Sequence, residues 1–582
     1  MANLIALVLV CILCIFASSV DASLAVTPID TLDRVFPDQP PKDAAGRETH
    51  VPRGAHASFQ FAVQSDEPGS CELAVGPLTH ADGTVLNAPH ATYHLLAVHV
   101  EGNSQGTAAT HPYPAKPPDD WMPFLTREAP FDVAEVLEPT DLFDAEAGRT
   151  HAVVVDVEIP LDAKPGRYEG TLRCEIGGES FTAPLSAVVH STTFDGYALD
   201  VTNWLFIEPR NLTGGERPEF WSEAHWDLIE SAGRLLHGYG QNTISTPHIH
   251  TVDDFPALIE TRVNADGSYS FDFARFDRWM ELFLELGYER IEGRHVISRA
   301  GHMPHRIMGT PADGGEPALL FEGGIKVAGE EEQRYLEYLA SFFDALHAHL
   351  TEKGWLDRYM QHVADEPVPD YEDIYRRYHA VFVEHLPGVP NLDADWSTPE
   401  MFSPLMAIQV MYIDTLAHSQ ALAAEREAAG LTTWMYNFGK PYPPRPNRWL
   451  DLPLTNSRLY PWLGVRYNAS GYLFWGANVF RGADPYTRSV GPCGEGKGYP
   501  GHNPGDNWLF YPAPNGLYAS IRMVAFRDGM VDHALLTQLA KIDPEAARSI
   551  TDRIVRSLVD YSQRPADYHR ARAMLLEALD GG

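Results

Sequence analysis

Residues 273–296 read FARFDRWMELFLELGYERIEGRHV, and this stretch decides the fold prediction because it contains one helix followed by one strand. Phe276, Met280 and Phe283 recur at helical spacing and form one apolar stripe, which is typical of a helix that packs on a core. Gly287 follows, and glycine commonly ends helices because it adopts the left-handed conformation without strain. The remainder of the stretch reads as a strand. The chain therefore contains at least one helix–strand unit of the kind that builds α/β folds.

The same alternation continues on both sides, from residue 196 to residue 540. A long helix with its own apolar stripe is predicted over Glu331–Lys353. The predicted strands are Val201–Ile207, Asn242–His250, Arg290–Val296, Arg358–Asp365, Val389–Ala394, Ile408–Ile413, Thr432–Tyr436 and Gly471–Trp475. Eight strands alternating with helices favour a TIM-type (β/α)8 barrel. An open doubly wound sheet is the alternative, but no glycine-rich phosphate loop follows the first strand.

The flanking regions differ from this α/β region. Residues 23–195 alternate apolar and polar positions with period two, as in Ala57–Gln64 and Val153–Ile159, and predict a β-sandwich accessory domain. Cys71 and Cys174 point into that sandwich, either as a disulfide or as two buried thiols. From Ser520 the chain is predicted to be helical to its end. The helices are Ile521–Asp528, Asp532–Ala540 and Pro544 to Leu579 with a break near Pro565, so residues 541–582 form a C-terminal helical segment. The protein is expected to be multidomain.

Composition restricts the partners and the compartment. Lys+Arg 44 against Asp+Glu 79 give a formal net charge of -35, which repels nucleic-acid backbones and anionic lipid. Leu4–Phe16 is an apolar run too short to span a bilayer but suited to a signal peptide over residues 1–22. A secreted or periplasmic protein is expected, with an uncleaved membrane anchor as the alternative. Nothing after Phe16 resembles a membrane span.

The strongest chemical signal is the run Gln361-His-Val-Ala-Asp-Glu-Pro367. Pro367 ends the predicted strand, so Asp365 and Glu366 lie at the barrel mouth, where barrel enzymes carry their active sites. Two adjacent carboxylates repel each other, so one becomes a proton donor while its neighbour stays ionised, and glycosidic bond cleavage needs such a pair. The structural alternative is an acidic pair that caps a helix N-terminus.

The adjacency of the two carboxylates also favours one mechanism. An ordinary retaining glycosidase places its carboxyl groups about 5–5.5 Å apart on opposite sides of the anomeric carbon. Neighbouring residues share one wall of the site and suit substrate assistance better. In that mechanism Glu366 protonates the leaving oxygen and Asp365 holds an acetamido group of the substrate, whose oxygen attacks the anomeric carbon.

Aromatic and histidine residues near the predicted strand ends are candidates for substrate binding. Trp434, Tyr436 and Trp475 offer ring faces that sugars stack on, and Asn478 offers hydrogen bonds, although aromatic residues at period two also build barrel cores. His295 lies at the end of its predicted strand and His362 lies three residues before Asp365, so either could line the same pocket. His248 and His250 share a strand face without a third ligand at matching spacing, so hydrogen bonding is favoured over a metal, and no metal or cofactor is expected.

These residues resemble glycoside hydrolase family 123 over about residues 195–540. The resemblance rests on His362-Val-Ala-Asp-Glu-Pro367, Trp434-Met-Tyr436, Pro443–Asn447, Arg458, Trp462, Gly471–Asn478, Ser520-Ile-Arg522, Arg527-Asp-Gly529 and Asp532. It implies an exo-acting β-N-acetylgalactosaminidase that works by substrate assistance, with an N-terminal β-sandwich. It also implies Asp365 as the residue that orients the acetamido group, Glu366 as the acid/base and Tyr436 as a donor to the acetamido oxygen.

The expected function is therefore a secreted glycosidase that releases terminal β-linked N-acetylgalactosamine from a glycan or glycoconjugate. Two alternatives remain open: a retaining glycosidase for a sugar without an acetamido group, and a non-catalytic glycan-binding protein. The Asp365–Glu366 pair discriminates between catalysis and binding, because a pure binder needs no proton donor there.

Overall fold

A computed structural model describes residues 24–42, 48–104, 117–249, 257–298, 301–304, 306–326, 328–396, 398–480, 482–490 and 502–581. The expected signal peptide and His250 lie outside the described residues. Among the described residues, no helix combines the length and apolar character needed to cross a bilayer. The chain has a β-rich N-terminal region and a helix-rich C-terminal region that also contains the parallel strands.

The N-terminal region contains two sheets. Its strands are β1 (Leu24–Ile29), β2 (Thr49–Arg53), β3 (His56–Ser65), β4 (Gly69–Val75), β5 (Thr79–His80), β6 (His90–Val100), β7 (Phe131–Pro139), β8 (Leu142–Ala145), β9 (Thr150–Glu158), β10 (Gly166–Ile176) and β11 (Glu179–Thr193). The first sheet has the order β1-β3-β9-β6-β7, and the second has the order β2-β11-β10-β4-β8 with β5 beside β10. Cys71 and Cys174 are both buried and free, so the disulfide is not formed in this structure.

Both faces of the first sheet are buried, although the sequence pattern predicts that only the odd-numbered positions of β9 face inward. Val153 and Val155 are fully buried, and so is Val154 between them. The even-numbered face is covered because the C-terminal region packs on it: Asp156 of β9 forms an ion pair with Arg527 at 2.7 Å. The period-two pattern therefore identifies the strands, but not the second surface that they bury.

All eight strands predicted for the C-terminal region are present. In chain order the elements are β12 (Asp200–Asn203), α1 (Pro209–Leu212), α2 (Glu223–Gly238), β13 (Thr243–Thr246), β14 (Glu260–Val263), β15 (Tyr269–Asp272), α3 (Ala274–Glu285), β16 (Arg290–Gly293), β17 (Ile297–Ser298), β18 (Ile307–Pro311), β19 (Ala318–Phe321), α4 (Gly329–Lys353), β20 (Tyr359–Gln361), β21 (Ala364–Asp365), α5 (Glu372–His385), β22 (Leu392–Asp395), α6 (Pro399–Phe402), β23 (Ile408–Tyr412), α7 (Ile413–His418), α8 (Gln420–Ala428), β24 (Thr432–Asn437), α9 (Leu454–Tyr467), β25 (Gly471–Phe474), β26 (Phe510–Ala513), β27 (Gly516–Ala519), α10 (Ile521–Ile542), α11 (Pro544–Ile554), β28 (Val555–Ser557), β29 (Asp560–Tyr561) and α12 (Pro565–Asp580).

The parallel strands form two sheets that continue into one another. One sheet has the order β12-β25-β24-β23-β22 and the other has the order β13-β16-β20. A parallel bridge between Gln361 and Asn391 connects β20 to the start of β22. On the other side the backbone N–H of Asn242, which precedes β13, donates to the carbonyl of Val201 in β12 at 3.3 Å. All eight strands thus point the same way, and their carboxyl ends lie on one side of the molecule.

An inserted sheet flanks that side and was not predicted from the sequence. Its four strands have the order β15-β14-β18-β19. Next to it, the two-residue strand β17 pairs in parallel with β21, which brings Ser298 opposite Asp365. The insertion therefore contacts the strand that carries the acidic pair.

The C-terminal end departs from its prediction in two places. The two helices expected over residues 521–540 are one helix, α10. Gly529 lies in its middle, where α10 passes so close to the Arg458 carbonyl of α9 that there is no room for a Cβ atom. The glycine therefore permits close packing and does not end the helix. The helix expected from Pro544 up to the break near Pro565 is shorter in the structure, because α11 ends at Ile554 and the hairpin β28–β29 follows it. The break near Pro565 is confirmed, because α12 begins at that proline.

Candidate active site

The acidic pair lies at the end of β21. The Asp365 side chain is 49% exposed and opens to solvent. Glu366 has a φ of 42°, a left-handed conformation that costs a non-glycine residue of order 1–3 kcal/mol. The backbone turns sharply there, and Pro367 prevents the strand from continuing. Strain at this one position lets two consecutive carboxylates leave the chain in different directions.

Tyr436 fixes the Glu366 carboxylate. Tyr436 lies on β24 and its hydroxyl donates to Glu366 Oε1 at 2.5 Å. The tyrosine is itself held between aromatic neighbours, with its ring centroid 5.9 Å from those of Tyr412 and Phe438. The sequence identified Tyr436 as a site residue, and the structure brings it to Glu366. This hydrogen bond fixes the position of the Glu366 carboxyl group in the site.

Beneath the pair lies a buried network of three charged groups. His362 is fully buried between two fully buried carboxylates: its Nε2 is 2.8 Å from Glu292 Oε1 and its Nδ1 is 3.5 Å from Asp393 Oδ1. Burial alone would lower the pKa of His362, but hydrogen bonds to Asp393 and Glu292 outweigh it and raise that pKa to about 9. His362 is therefore an imidazolium at neutral pH. It is not exposed to a substrate, in contrast to the expectation that it lines the pocket.

Asp393 connects this network to the acidic pair. Its Oδ1 accepts the backbone N–H groups of Val363 and Ala364 at 2.9 and 3.1 Å, and its Oδ2 accepts the Tyr375 hydroxyl at 2.8 Å. The two amides immediately precede Asp365. A carboxylate that receives several donors holds the segment firmly. Burial raises the pKa of Asp393, while His362 and these hydrogen bonds oppose the rise.

His295 lies between the buried network and Asp365. Its ring centroid is 4.2 Å from that of His362, and its Nε2 is 4.0 Å from Asp365 Oδ1. Trp204 covers the same cluster, because its indole N–H donates to Glu292 at 2.6 Å and its ring meets His295 edge to face at 5.4 Å. His295 is 9% exposed, so it reaches the edge of the site as the sequence suggested.

Sequence reasoning missed Glu292, Asp393 and Trp204. Glu292 and Asp393 stand inside strands β16 and β22, and both side chains are fully buried. A carboxylate at the centre of a buried strand costs folding free energy unless it is paired with a cation or a donor. Two such carboxylates, on the strands predicted before and after the one that leads to His362, are the sequence signal that could have revealed the network.

The other predicted substrate-binding residues do not all reach the site. Trp434 is fully buried, and its ring packs directly on Gly471 of β25, where a Cβ atom would collide with it. Asn478 is also fully buried: its amide nitrogen donates to the carbonyls of Phe206 and Asn211, and its oxygen accepts the Phe206 N–H at 2.8 Å. These two residues build the core and tie a loop.

Trp475 is different. Its ring is partly exposed and lies 4.7 Å from the His502 ring, tilted by 41°. Trp396, which follows β22, is also partly exposed and has the Lys440 ammonium 5.1 Å from its centroid. Both tryptophans follow carboxyl ends of parallel strands and can offer apolar faces to a sugar ring.

His295, His362 and Asp393 also have the composition of a metal-ligand set, with their donor atoms within 4.8 Å of one another. Glu292 and Asp393 both face His362, and its raised pKa opposes the loss of the proton that a metal would have to displace. The residues fit an ion-pair network better than a metal centre.

Comparison with known proteins identifies the class. The sequence model of the glycoside hydrolase 123 catalytic domain matches residues 208–539, which include both carboxylates and Tyr436. The match defines a glycosidase, an enzyme that hydrolyses the bonds of sugars. More particularly, the chain belongs to glycoside hydrolase family 123, which confirms the resemblance seen in the motifs. No curated protein sequence matches the chain significantly.

One solved structure shares the fold of nearly the whole chain. A family 123 glycoside hydrolase from Clostridium perfringens, described for glycolipid glycan hydrolysis, is 15% identical with a TM-score of 0.71, over 96% of this chain and 98% of that one. A β-glucuronidase from Parabacteroides merdae is 8% identical with a TM-score of 0.33, over 87% and 54%. A GH10 xylanase from Thermobacillus composti is 11% identical with a TM-score of 0.31, over 57% and 97%. The first of these shows that the whole two-region architecture recurs in a family 123 enzyme.

Proposed function

We propose that this glycosidase is an exo-acting β-N-acetylhexosaminidase that releases terminal β-linked N-acetylgalactosamine with retention, by a substrate-assisted mechanism. The observation that carries the proposal is the consecutive pair Asp365–Glu366, in which Glu366 is held by Tyr436 and Asp365 is half exposed. An ordinary double displacement needs two carboxyl groups on opposite sides of the anomeric carbon, and two consecutive residues suit that arrangement poorly.

The first step uses one proton and the substrate's own oxygen. Glu366 donates its carboxyl proton to the glycosidic oxygen, while the acetamido oxygen attacks the anomeric carbon and the bond to the aglycone breaks. Asp365 accepts a hydrogen bond from the acetamido N–H and stabilises the positive charge that develops on that group. The products of the step are the free aglycone and a bicyclic oxazolinium ion, which keeps its N–H hydrogen-bonded to Asp365, with Glu366 left as a carboxylate.

In the second step Glu366 acts as a general base instead of a general acid. The Glu366 carboxylate takes a proton from a water molecule, whose oxygen attacks the anomeric carbon from the side that the aglycone left. The bond between that carbon and the acetamido oxygen breaks, the acetamido group is restored, and the sugar leaves with its β configuration retained. Glu366 ends protonated, as it began.

We also propose that the eight parallel strands close into a (β/α)8 barrel. The connection through Gln361 and Asn391 on one side, and the hydrogen bond from Asn242 to Val201 on the other, support closure. The acidic pair would then lie at the carboxyl end of the fourth strand, as barrel catalysis requires. A crystal structure in which β12 and β13 are separated by solvent would contradict this arrangement.

For the natural substrate we propose a neutral glycan of a glycolipid or glycoconjugate. The similar enzyme from Clostridium perfringens is described for glycolipid glycans. A net charge of -35 disfavours sulfated or sialylated chains by long-range repulsion. Secretion is part of the proposal and rests on the apolar run Leu4–Phe16. Mass spectrometry of protein exported by its host should show removal of residues 1–22.

The activity is tested first with aryl glycosides. Release of nitrophenol from β-GalNAc, β-GlcNAc and β-Gal substrates should be fastest for β-GalNAc and absent for β-Gal. Glu366→Gln should slow substrates with poor leaving groups about 10²–10⁴-fold and activated aryl glycosides much less. Equal losses on both types would show that Glu366 is not the acid. No turnover of any glycoside by the wild type would contradict the proposed specificity.

The mechanism is tested by trapping. A thiazoline analogue of N-acetylgalactosamine should inhibit strongly, because it mimics the oxazoline, and Asp365→Asn should weaken that inhibition. Fluorosugars that form glycosyl-enzymes should leave the protein mass unchanged. A glycosyl adduct on any carboxylate would establish the ordinary retaining mechanism instead.

A further inference from the structure

The loop that follows β24 is tied to the strand that carries Tyr436. This loop spans residues 438–453. At its base the Asn437 side chain donates to Asn447 Oδ1 at 2.8 Å, and the Asn447 side chain donates back to the Phe438 carbonyl at 2.9 Å. Any displacement of the loop is therefore transmitted to the end of β24, one residue beyond Tyr436.

The N-terminal region grips the far end of that loop at Asp451, whose side chain is fully buried. Asp451 Oδ2 accepts the Ser104 backbone N–H at 2.6 Å, and Oδ1 accepts the Ser104 hydroxyl at 2.7 Å. Asn103 donates to Oδ2 at 3.3 Å, and the Thr126 amide and hydroxyl donate to the Asp451 carbonyl at 2.8 and 3.0 Å. We call Asp451 with Asn103, Ser104 and Thr126 the latch.

Two further contacts from the N-terminal region fix the same loop. Arg34 donates to the carbonyls of Trp449 and Leu452 at 3.2 and 3.0 Å, while its third donor is paired with buried Glu135 at 2.8 Å. The Trp121 ring stacks on Tyr442 at 5.1 Å. The loop is thus held along its length by charge-assisted hydrogen bonds and one aromatic contact.

We propose that the N-terminal region is a positioning part of the active site, acting through the latch on the loop 438–453 and through that loop on Tyr436. The inference deepens the proposed glycosidase function and rests on it. The latch residues touch no reacting atom. They are positioning residues, because they set the place from which the Tyr436 hydroxyl donates to Glu366. The region predicted as an accessory module is then required for the geometry of the general acid.

The test is a double-mutant cycle. Asp451→Asn and the pair Ser104→Ala with Thr126→Val should each lower kcat by up to about tenfold with a smaller change in KM, because they act through Tyr436 and a small displacement of a positioned group is enough to lose its contribution. In a Tyr436→Phe background the same changes should have almost no further effect, because the link they act through is already removed. Losses that multiply with that of Tyr436→Phe would overturn the proposal.

Asp580→Asn is the matched control. Asp580 ends α12 and binds the N-terminal region through the hydroxyls of Ser191 and Thr192, each at 2.7 Å, without touching the loop 438–453. It should lower the melting temperature by an amount similar to that of the latch variants and leave kcat unchanged. A matching fall in kcat would show that any weakening between the two regions reduces activity, and would also overturn the proposal.

A measurement without substrate separates this inference from the proposed function. Hydrogen exchange followed by mass spectrometry should show faster exchange of peptides from residues 438–453 in the latch variants and not in Asp580→Asn. If the wild type cleaves no glycoside, the proposed function fails while this exchange result still decides the positioning. Unchanged exchange in the latch variants would refute it.

Discussion

Replacing His362 by Gln should destabilise the protein in a way that depends on pH. His362 lies fully buried between Glu292 and Asp393, and its pKa is raised to about 9 from an ordinary value of 6.5. Gln can replace one hydrogen bond but carries no charge, so the variant leaves two buried carboxylates without a cation. The perturbation therefore isolates the charge of His362.

The magnitude follows from the two pKa values. A difference of about 2.5 corresponds to about 3 kcal/mol of stability from the protonated form. Because the pKa is higher in the folded state, this stabilisation is fully present below pH 6.5 and is lost as pH rises through 9. A region of about 330 residues unfolds with an entropy of about 0.7 kcal/mol per degree, so the effect is about 4 to 5 °C in melting temperature.

The assay is thermal unfolding of the wild type and His362→Gln at pH 6, 7, 8 and 9.5. The gap in melting temperature should be at least about 5 °C at pH 6 and should shrink steadily toward pH 9.5. His533→Gln is the control, because burial lowers the pKa of His533 to about 4 and that histidine stays neutral throughout. The difference in melting temperature between the wild type and His533→Gln should not change with pH. A gap for His362→Gln that is equal at pH 6 and pH 9.5 would refute the buried imidazolium.

Three further predictions concern the site and the contact between regions. Tyr436→Phe should lower kcat/KM about tenfold and move the alkaline limb of the pH profile of kcat/KM to higher pH. The reason is that Glu366 loses a hydrogen-bond donor that favours its ionised form. An alkaline limb at the same pH as in the wild type would contradict this. Asn478→Ala should lower the free energy of unfolding by about 2–3 kcal/mol in urea titration and leave KM unchanged, because the partners of the Asn478 side chain are backbone groups. A raised KM with unchanged stability would show instead that Asn478 binds the substrate. The isolated fragment 196–582 should be insoluble or inactive, because Arg527 would lose Asp156 and the sheet that covers it; a soluble and fully active fragment would show that the N-terminal region is dispensable.

The sequence by itself identified the family, the eight parallel strands and the acidic pair. These features are local. Period-two and helical patterns follow from which side of a strand or helix is buried, and Pro367 directly after Asp365 and Glu366 ends a strand wherever it occurs. The motifs around Asp365, Trp434 and Gly471 identified the family because each is a short contiguous run that can be recognised without the tertiary structure.

Only the tertiary structure decided which of those residues act together. Trp434 and Tyr436 stand two apart on one strand, yet one is core and the other donates to Glu366. Glu292 and Asp393 come from separate strands and meet His362 only because the strands are neighbours in space. The latch joins Ser104 to Asp451 across 347 residues of chain. Such pairings depend on contacts between distant segments, and the residue pattern within one segment does not say which distant segment will cover it.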